Sequence, residues 1–186
     1  MAGNTPFEAY QNFRDRLQEA LSCIVVERLT APDTSHFETD FDYTVTLHRG
    51  KPVRLRGPHH LTLVVSHKFQ IVEADGARGP LKVRTINYFY EIATQSGEEV
   101  LTYHWTPETQ EGRTYGHLHV GTACIAETSP LPHKRFHRLH IPTARVSLES
   151  LLHFLIEDLK VPPRKDDWAA ILNATEQAFN EFKTRY

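Results

Sequence analysis

The chain lacks most of the features that place a protein quickly. No stretch approaches the roughly 20 apolar residues that a membrane-spanning helix needs. The 21 Lys and Arg stand against 23 Asp and Glu, a net charge of −2. No global basicity therefore marks a nucleic-acid or membrane partner, and any such surface has to be local. Cysteine occurs only at Cys23 and Cys124, each in an apolar context (LSCIVV, TACIA). Two buried thiols in a reducing compartment are expected, rather than a disulfide framework. The opening residues, MAGNTPFEAY, show neither a basic start nor an apolar run. A signal peptide is not expected, and a cytoplasmic location is. A nucleophile elbow, a Gly-rich phosphate loop and a CxxC pair are all missing. Ser/His/Asp and Cys/His catalysis thus have no local support.

Histidine is the unusual presence, at twelve of 186 residues. The length suits one domain over residues 1–186. Thr5-Pro6-Phe7-Glu8 reads as a helix start, with Thr5 as cap, Pro6 in the first turn and Glu8 completing a capping box. Phe7, Tyr10, Phe13, Leu17 and Leu21 then recur at near-helical spacing, so the helix is expected to run to about Ser22. The middle of the chain is rich in strand signals. CIVVERL (23–29), DYTVTLH (42–48), LTLVV, FQIVEAD, VRTINYFYEIA (83–93), EVLTYHW (99–105) and RTYGHLHVG (113–121) follow one another with short turns. That order predicts an antiparallel meander.

Near the C-terminus, Ser147 caps a stripe of Leu148, Leu151, Leu152, Leu155 and Leu159. Val161-Pro162-Pro163 stops that helix. A last helix starts at Asp166, with Trp168, Ile171, Leu172, Phe179 and Phe182 inward. The expectation is one α+β domain: an N-terminal helix, an antiparallel sheet of about five to six strands, and a C-terminal helical pair on one face.

Alternation along a strand sorts the histidines. In residues 113–121, Arg113, Tyr115, His117 and His119 share one face, opposite Leu118 and Val120. Leu101, Tyr103 and Trp105 form the apolar side of the preceding strand, which puts Thr102 and His104 beside that polar row. One strand earlier, Ile86, Tyr88, Tyr90 and Ile92 take the core side, and Asn87 and Glu91 the polar side. The segment PLPHKRFHRLHIPTAR (130–145) adds His133, His137, His140, Lys134, Arg135, Arg138 and Arg145. Between 113 and 145 the only acid is Glu127, so a basic, histidine-rich surface lies inside a net acidic chain.

Three chemistries fit such a surface. The first is cleavage of RNA without a cofactor. Such cleavage needs a base for the 2′-hydroxyl and an acid for the leaving oxygen, and histidine serves as either near neutral pH. His117 and His119 would be that pair. Arg113 would stabilise phosphoryl charge, Tyr115 and His104 would position substrate, and Lys134, Arg135 and Arg138 would hold the backbone. The second is a site for a divalent metal such as zinc, drawn from His104, His117, His119, His137 and His140. An HxH pair begins like a cupin site, but the acid expected three or four residues later is missing. The i, i+3 spacing of HRLH (137–140) suits a metal on a helix, whereas Leu139-His140-Ile141-Pro142 reads as extended. The third is plain packing or solvation, the reading given to His36, His48, His59, His60, His67 and His153.

The stretch NYFYEIATQSGEEVLTYHWTPETQEGRTYGHLHVG (87–121) resembles the TumE-like toxins of prokaryotic toxin–antitoxin pairs. The shared pattern is a YxY strand, an acidic turn, a strand ending in Tyr-His-Trp, then a loop and His-x-His-Val. It touches Tyr103, His104, His117 and His119. The resemblance implies an α+β protein that acts on RNA, made beside a neutralising antitoxin protein. Between the two blocks those toxins carry an Arg-Tyr-Asp-Asn-like run, where this chain has TPETQEGRTYG. The same two-gene setting allows a third class, a non-catalytic partner-binding module. It would dock through an exposed apolar stripe on Leu151–Leu159 or Trp168–Phe182. An oligomer is compatible with any of these.

Overall fold

Thr5 caps the first helix as its sequence predicts. In the computed structural model, which describes residues 2–31, 37–74, 79–106, 115–124 and 140–181, the Thr5 hydroxyl accepts the Glu8 amide at 3.1 Å. Glu8 reaches back to the Asn4 amide at 2.9 Å. Helix α1 (Pro6–Leu21) then buries Ala9, Tyr10, Phe13, Leu17, Ala20 and Leu21 along one side.

Among the described residues nine strands form one antiparallel sheet: β1 (Ala2–Gly3), β2 (Leu29–Thr30), β3 (Tyr43–Leu47), β4 (Val53–Arg54), β5 (Leu61–Glu73), β6 (Leu81–Thr94), β7 (Glu99–Trp105), β8 (Gly116–Val120) and β9 (Ile141–Thr143). The spatial order β2-β3-β5-β6-β7-β8-β9 follows the chain, with β1 added beside β6 and β4 beside β5. The meander is as expected, but the sheet has more strands than the five to six predicted. The extra ones are two- or three-residue pieces, too short to leave an alternating pattern. The strand expected over 23–29 survives only at Leu29. After α1 the chain turns through residues 22–24 instead, with the Cys23, Ile24 and Val25 amides still bonded to carbonyls of the last helical turn.

Helix α2 (Leu148–Glu157) starts where Ser147 predicts, its hydroxyl accepting the Ser150 amide at 3.0 Å. It ends at Glu157, two residues before Leu159. Helix α3 (Trp168–Glu181) carries buried Leu172, with Trp168 and Ile171 packed at the margin of the core. The Phe179 side chain and Phe182 lie outside the described residues. One buried cluster joins α1, α2, Leu172 of α3 and one face of the sheet, through residues such as Phe69, Ile71, Tyr88, Tyr90, Leu151, Leu152 and Leu155. The leucine stripe of α2 is therefore consumed within the chain itself and is not left as a docking surface. No helix among the described residues is long and apolar enough to cross a membrane.

Two expectations about packing are corrected. Lys68 pairs with Asn87 and Phe69 with Thr85, so Ile86 is the extra residue of a β-bulge. Such a residue resets the alternation. Before the bulge Leu81 and Val83 pack on the core, after it Tyr88, Tyr90 and Ile92 do, and Ile86 does not join the core row. Cys23 is buried as expected, but Cys124 is exposed. It closes a short 3₁₀ turn, Thr122–Cys124, that leaves the sheet after β8.

Candidate metal centre

Strand pairing builds the site from the alternation read in the sequence. Across β7 and β8, His104 lies opposite His117, and Thr102 opposite His119. Directly opposed residues share a face, so His104, His117 and His119 gather on one side of the sheet. On the other side Trp105 is buried, and Leu101 and Tyr103 pack at the edge of the core. β9 brings in a fourth ring. Leu118 pairs with Ile141, which leaves His140 at the mouth of β9 beside the pair on β8.

The four imidazoles touch. Ring centroids are 5.0 Å apart for His104 and His117, and 5.1 Å for His117 and His119. His140 stands 4.8 Å from His117 and 4.5 Å from His119. One ring nitrogen from each of His104, His117 and His119 falls within 4.8 Å of the others. Two nitrogens on one tetrahedral zinc, each bonded at about 2.0–2.1 Å, lie about 3.3 Å apart. Metal binding therefore requires these nitrogens to move closer by up to about 1.5 Å.

His117 does not face water as its place on the polar row implies. It is only 4% exposed, whereas Leu118 and Val120 are half-buried. The rings of His104, His119 and His140 cover it, and the exposed Tyr115 ring lies 6.4 Å away. Burial lowers the pKa of His117, against the pull of the Tyr115 carbonyl, and the three neighbouring imidazoles lower it further. Burial likewise lowers His104, with His119 and His140 adding to it. At neutral pH both rings are therefore uncharged and keep a lone pair for a cation.

The hydrogen bonds around the cluster were not legible in the sequence. His104 Nε2 lies 3.1 Å from the Thr106 hydroxyl, which accepts a 2.6 Å bond from the Asn87 side-chain amide. Asn87 does join the polar side as predicted, but Thr106 carried no signal beyond its place one residue after the strand. His117 Nδ1 lies 3.4 Å from the Tyr115 carbonyl oxygen.

Of the other predicted site residues, Arg113, Lys134, Arg135, His137 and Arg138 lie outside the described residues. Arg145 is placed on the opposite, helix-covered face. Its guanidinium carbon stands 3.7 Å above the Trp105 ring, a cation–π arrangement. There it helps line a small cavity with His67, Tyr88, Tyr90 and Glu149. His67 is a core histidine, as read: it is buried, with Nε2 3.1 Å from the Tyr90 hydroxyl. Comparison with protein-family models, with curated proteins and with solved structures finds no match to this chain. What the fold and the site define is an α+β protein carrying a histidine cluster with the composition of a metal centre.

Proposed function

We propose that this chain is a metal-binding protein whose centre is formed by His104, His117 and His119, with His140 as a fourth ligand. The observation that carries the reading is the convergence of three imidazoles on one face of the β7–β8 ladder. An all-imidazole donor set suits zinc first, and also copper, nickel or iron. A bound ion of this kind supplies a Lewis acid and an activated water at neutral pH. The chain's own residues hold the donors at fixed register, and burial disfavours the protonated forms of His104 and His117.

The substrate proposed for this centre is an RNA phosphodiester. Support comes from the basic composition of residues 113–145 and the resemblance of residues 87–121 to TumE-like toxins. On that resemblance the chain is a prokaryotic, cytoplasmic toxin held by a cognate antitoxin protein.

One observation favours a second use of the same residues. The His117 and His119 rings stand 5.1 Å apart, and burial favours the neutral form of His117, which suits a general base; on this reading the two act as an acid/base pair on RNA without a metal.

The test is RNA cleavage by the purified protein, with and without chelator, beside His119→Ala purified identically. The metal reading predicts cleavage that chelation abolishes, zinc restores and the variant lacks. Cleavage that survives chelation but not His119→Ala belongs to acid/base chemistry and contradicts the metal reading. Absence of cleavage in every condition contradicts both enzymatic readings and leaves a binding protein.

A further inference from the structure

We infer that Thr106, oriented by Asn87, is a positioning residue that decides which nitrogen of His104 is offered to a metal, and that the Tyr115 carbonyl makes the same decision for His117. The inference rests on the metal reading and specifies its ligand atoms: Nδ1 from His104 and Nε2 from His117.

A neutral imidazole has one N–H and one lone pair, and the hydrogen bond made by one nitrogen fixes the role of the other. A backbone carbonyl only accepts. The contact between His117 Nδ1 and the Tyr115 oxygen, at 3.4 Å, therefore requires the proton on Nδ1 and leaves the lone pair on Nε2. His104 is the mirror case. Its Nε2 is engaged with the Thr106 hydroxyl at 3.1 Å. That hydroxyl oxygen accepts the Asn87 amide at 2.6 Å, which fills one of its two lone pairs and leaves the other for His104. If Nε2–H donates into the remaining lone pair of Oγ1, Nδ1 carries the free lone pair. If the threonine instead donated to Nε2, both nitrogens of His104 would be spent and the ring could not ligate. Histidine ligands are generally held by such a bond from the non-ligating nitrogen, and loss of the partner costs about 10–100-fold in metal affinity.

The two histidines that face each other across β7 and β8 are held by anchors of different kinds. His104 is anchored by a side chain at the end of its own strand, two residues on. His117 is anchored by backbone two residues before it. Because the strands run antiparallel with His104 opposite His117, both anchors lie at the same end of the ladder, one a side chain and the other a backbone carbonyl.

The experiment is long-range proton–nitrogen NMR of the histidine rings in ¹⁵N-labelled wild type, Thr106→Val and Thr106→Ser. Each is recorded metal-free and with one equivalent of zinc. In the metal-free wild type, His104 is expected as the Nε2–H form and His117 as the Nδ1–H form. Zinc should then shift His104 Nδ1 and His117 Nε2. Thr106→Val should mix the His104 forms and weaken zinc binding by about 10–100-fold. Thr106→Ser, which keeps the hydroxyl, should restore both, and Asn87→Ala should give a smaller change in the direction of Thr106→Val. The unchanged ring signals of His67, in the core, report that each variant is folded.

A metal-free wild type with His104 as the Nδ1–H form overturns the inference. So does a Thr106→Val variant with unchanged His104 form and unchanged zinc affinity. The expected metal-free forms with no zinc shift at either ring would support the positioning by Thr106 and contradict the metal reading on its own.

Discussion

His67 and His117 are both buried imidazoles, and their surroundings give them different work. His67 sits in the core on β5, its ring edge-on to Phe13 at 5.9 Å, with a single hydrogen bond to Tyr90. Burial, reinforced by the charge of Arg145, lowers its pKa to about 3. The unfolded chain binds a proton near pH 6.5 that the folded chain refuses until about pH 3. The contribution of this group to stability is therefore full above pH 6.5 and falls as pH drops through that window, by about 5 kcal/mol in all. His104 and His117 add to the loss in the same direction. The prediction is that His67→Phe loses less melting temperature between pH 7 and pH 4.5 than the wild type does. Thermal melts at the two pH values measure it, and equal losses would contradict the assignment. His117, by contrast, is covered by other imidazoles rather than by core apolar groups, which is what makes it a ligand candidate.

At the scale of elements, the site depends on the register of β7 against β8. Gly121 ends β8 with its amide bonded to the Val100 carbonyl at 2.8 Å. A Cβ there would run into the Glu99 backbone carbonyl, so only glycine lets the two strands close two residues beyond His119. Gly121→Ala is predicted to destabilise the protein by about 1–3 kcal/mol or more and to weaken metal binding with it. Chemical denaturation beside a zinc titration checks both, and wild-type values for both would contradict the role given to this strand end. The face each residue takes was legible in the sequence, though the pairing itself was not. Alternation alone put His104 on the side of His117 and His119, because each strand had three or more residues of clear pattern. The bulge at Ile86 was not legible, since an extra residue leaves no mark in a run as apolar as VRTINYFYEIA. The burial of His117 was also hidden. It depends on His140, which arrives from another strand, and no local pattern encodes that contact. The apolar residues of 23–29 mimic a strand because a turn that closes a helix onto the core needs the same residue types.

Across the whole molecule, the sheet separates two tasks. One face carries α1, α2 and α3 and holds the continuous core. The other brings histidines from three strand regions together. On that division, substitutions at the cluster are expected to leave the fold in place. It also explains why the helical stripes, so clear in the sequence, say nothing about the site. The measurement that tests the central claim most directly is an equilibrium zinc titration of the chelator-stripped protein, wild type beside His119→Ala. The account predicts one zinc per wild-type chain and a loss of affinity of at least about 100-fold in the variant, with both proteins folded. No saturable zinc binding by the wild type, or equal binding by the variant, would contradict it.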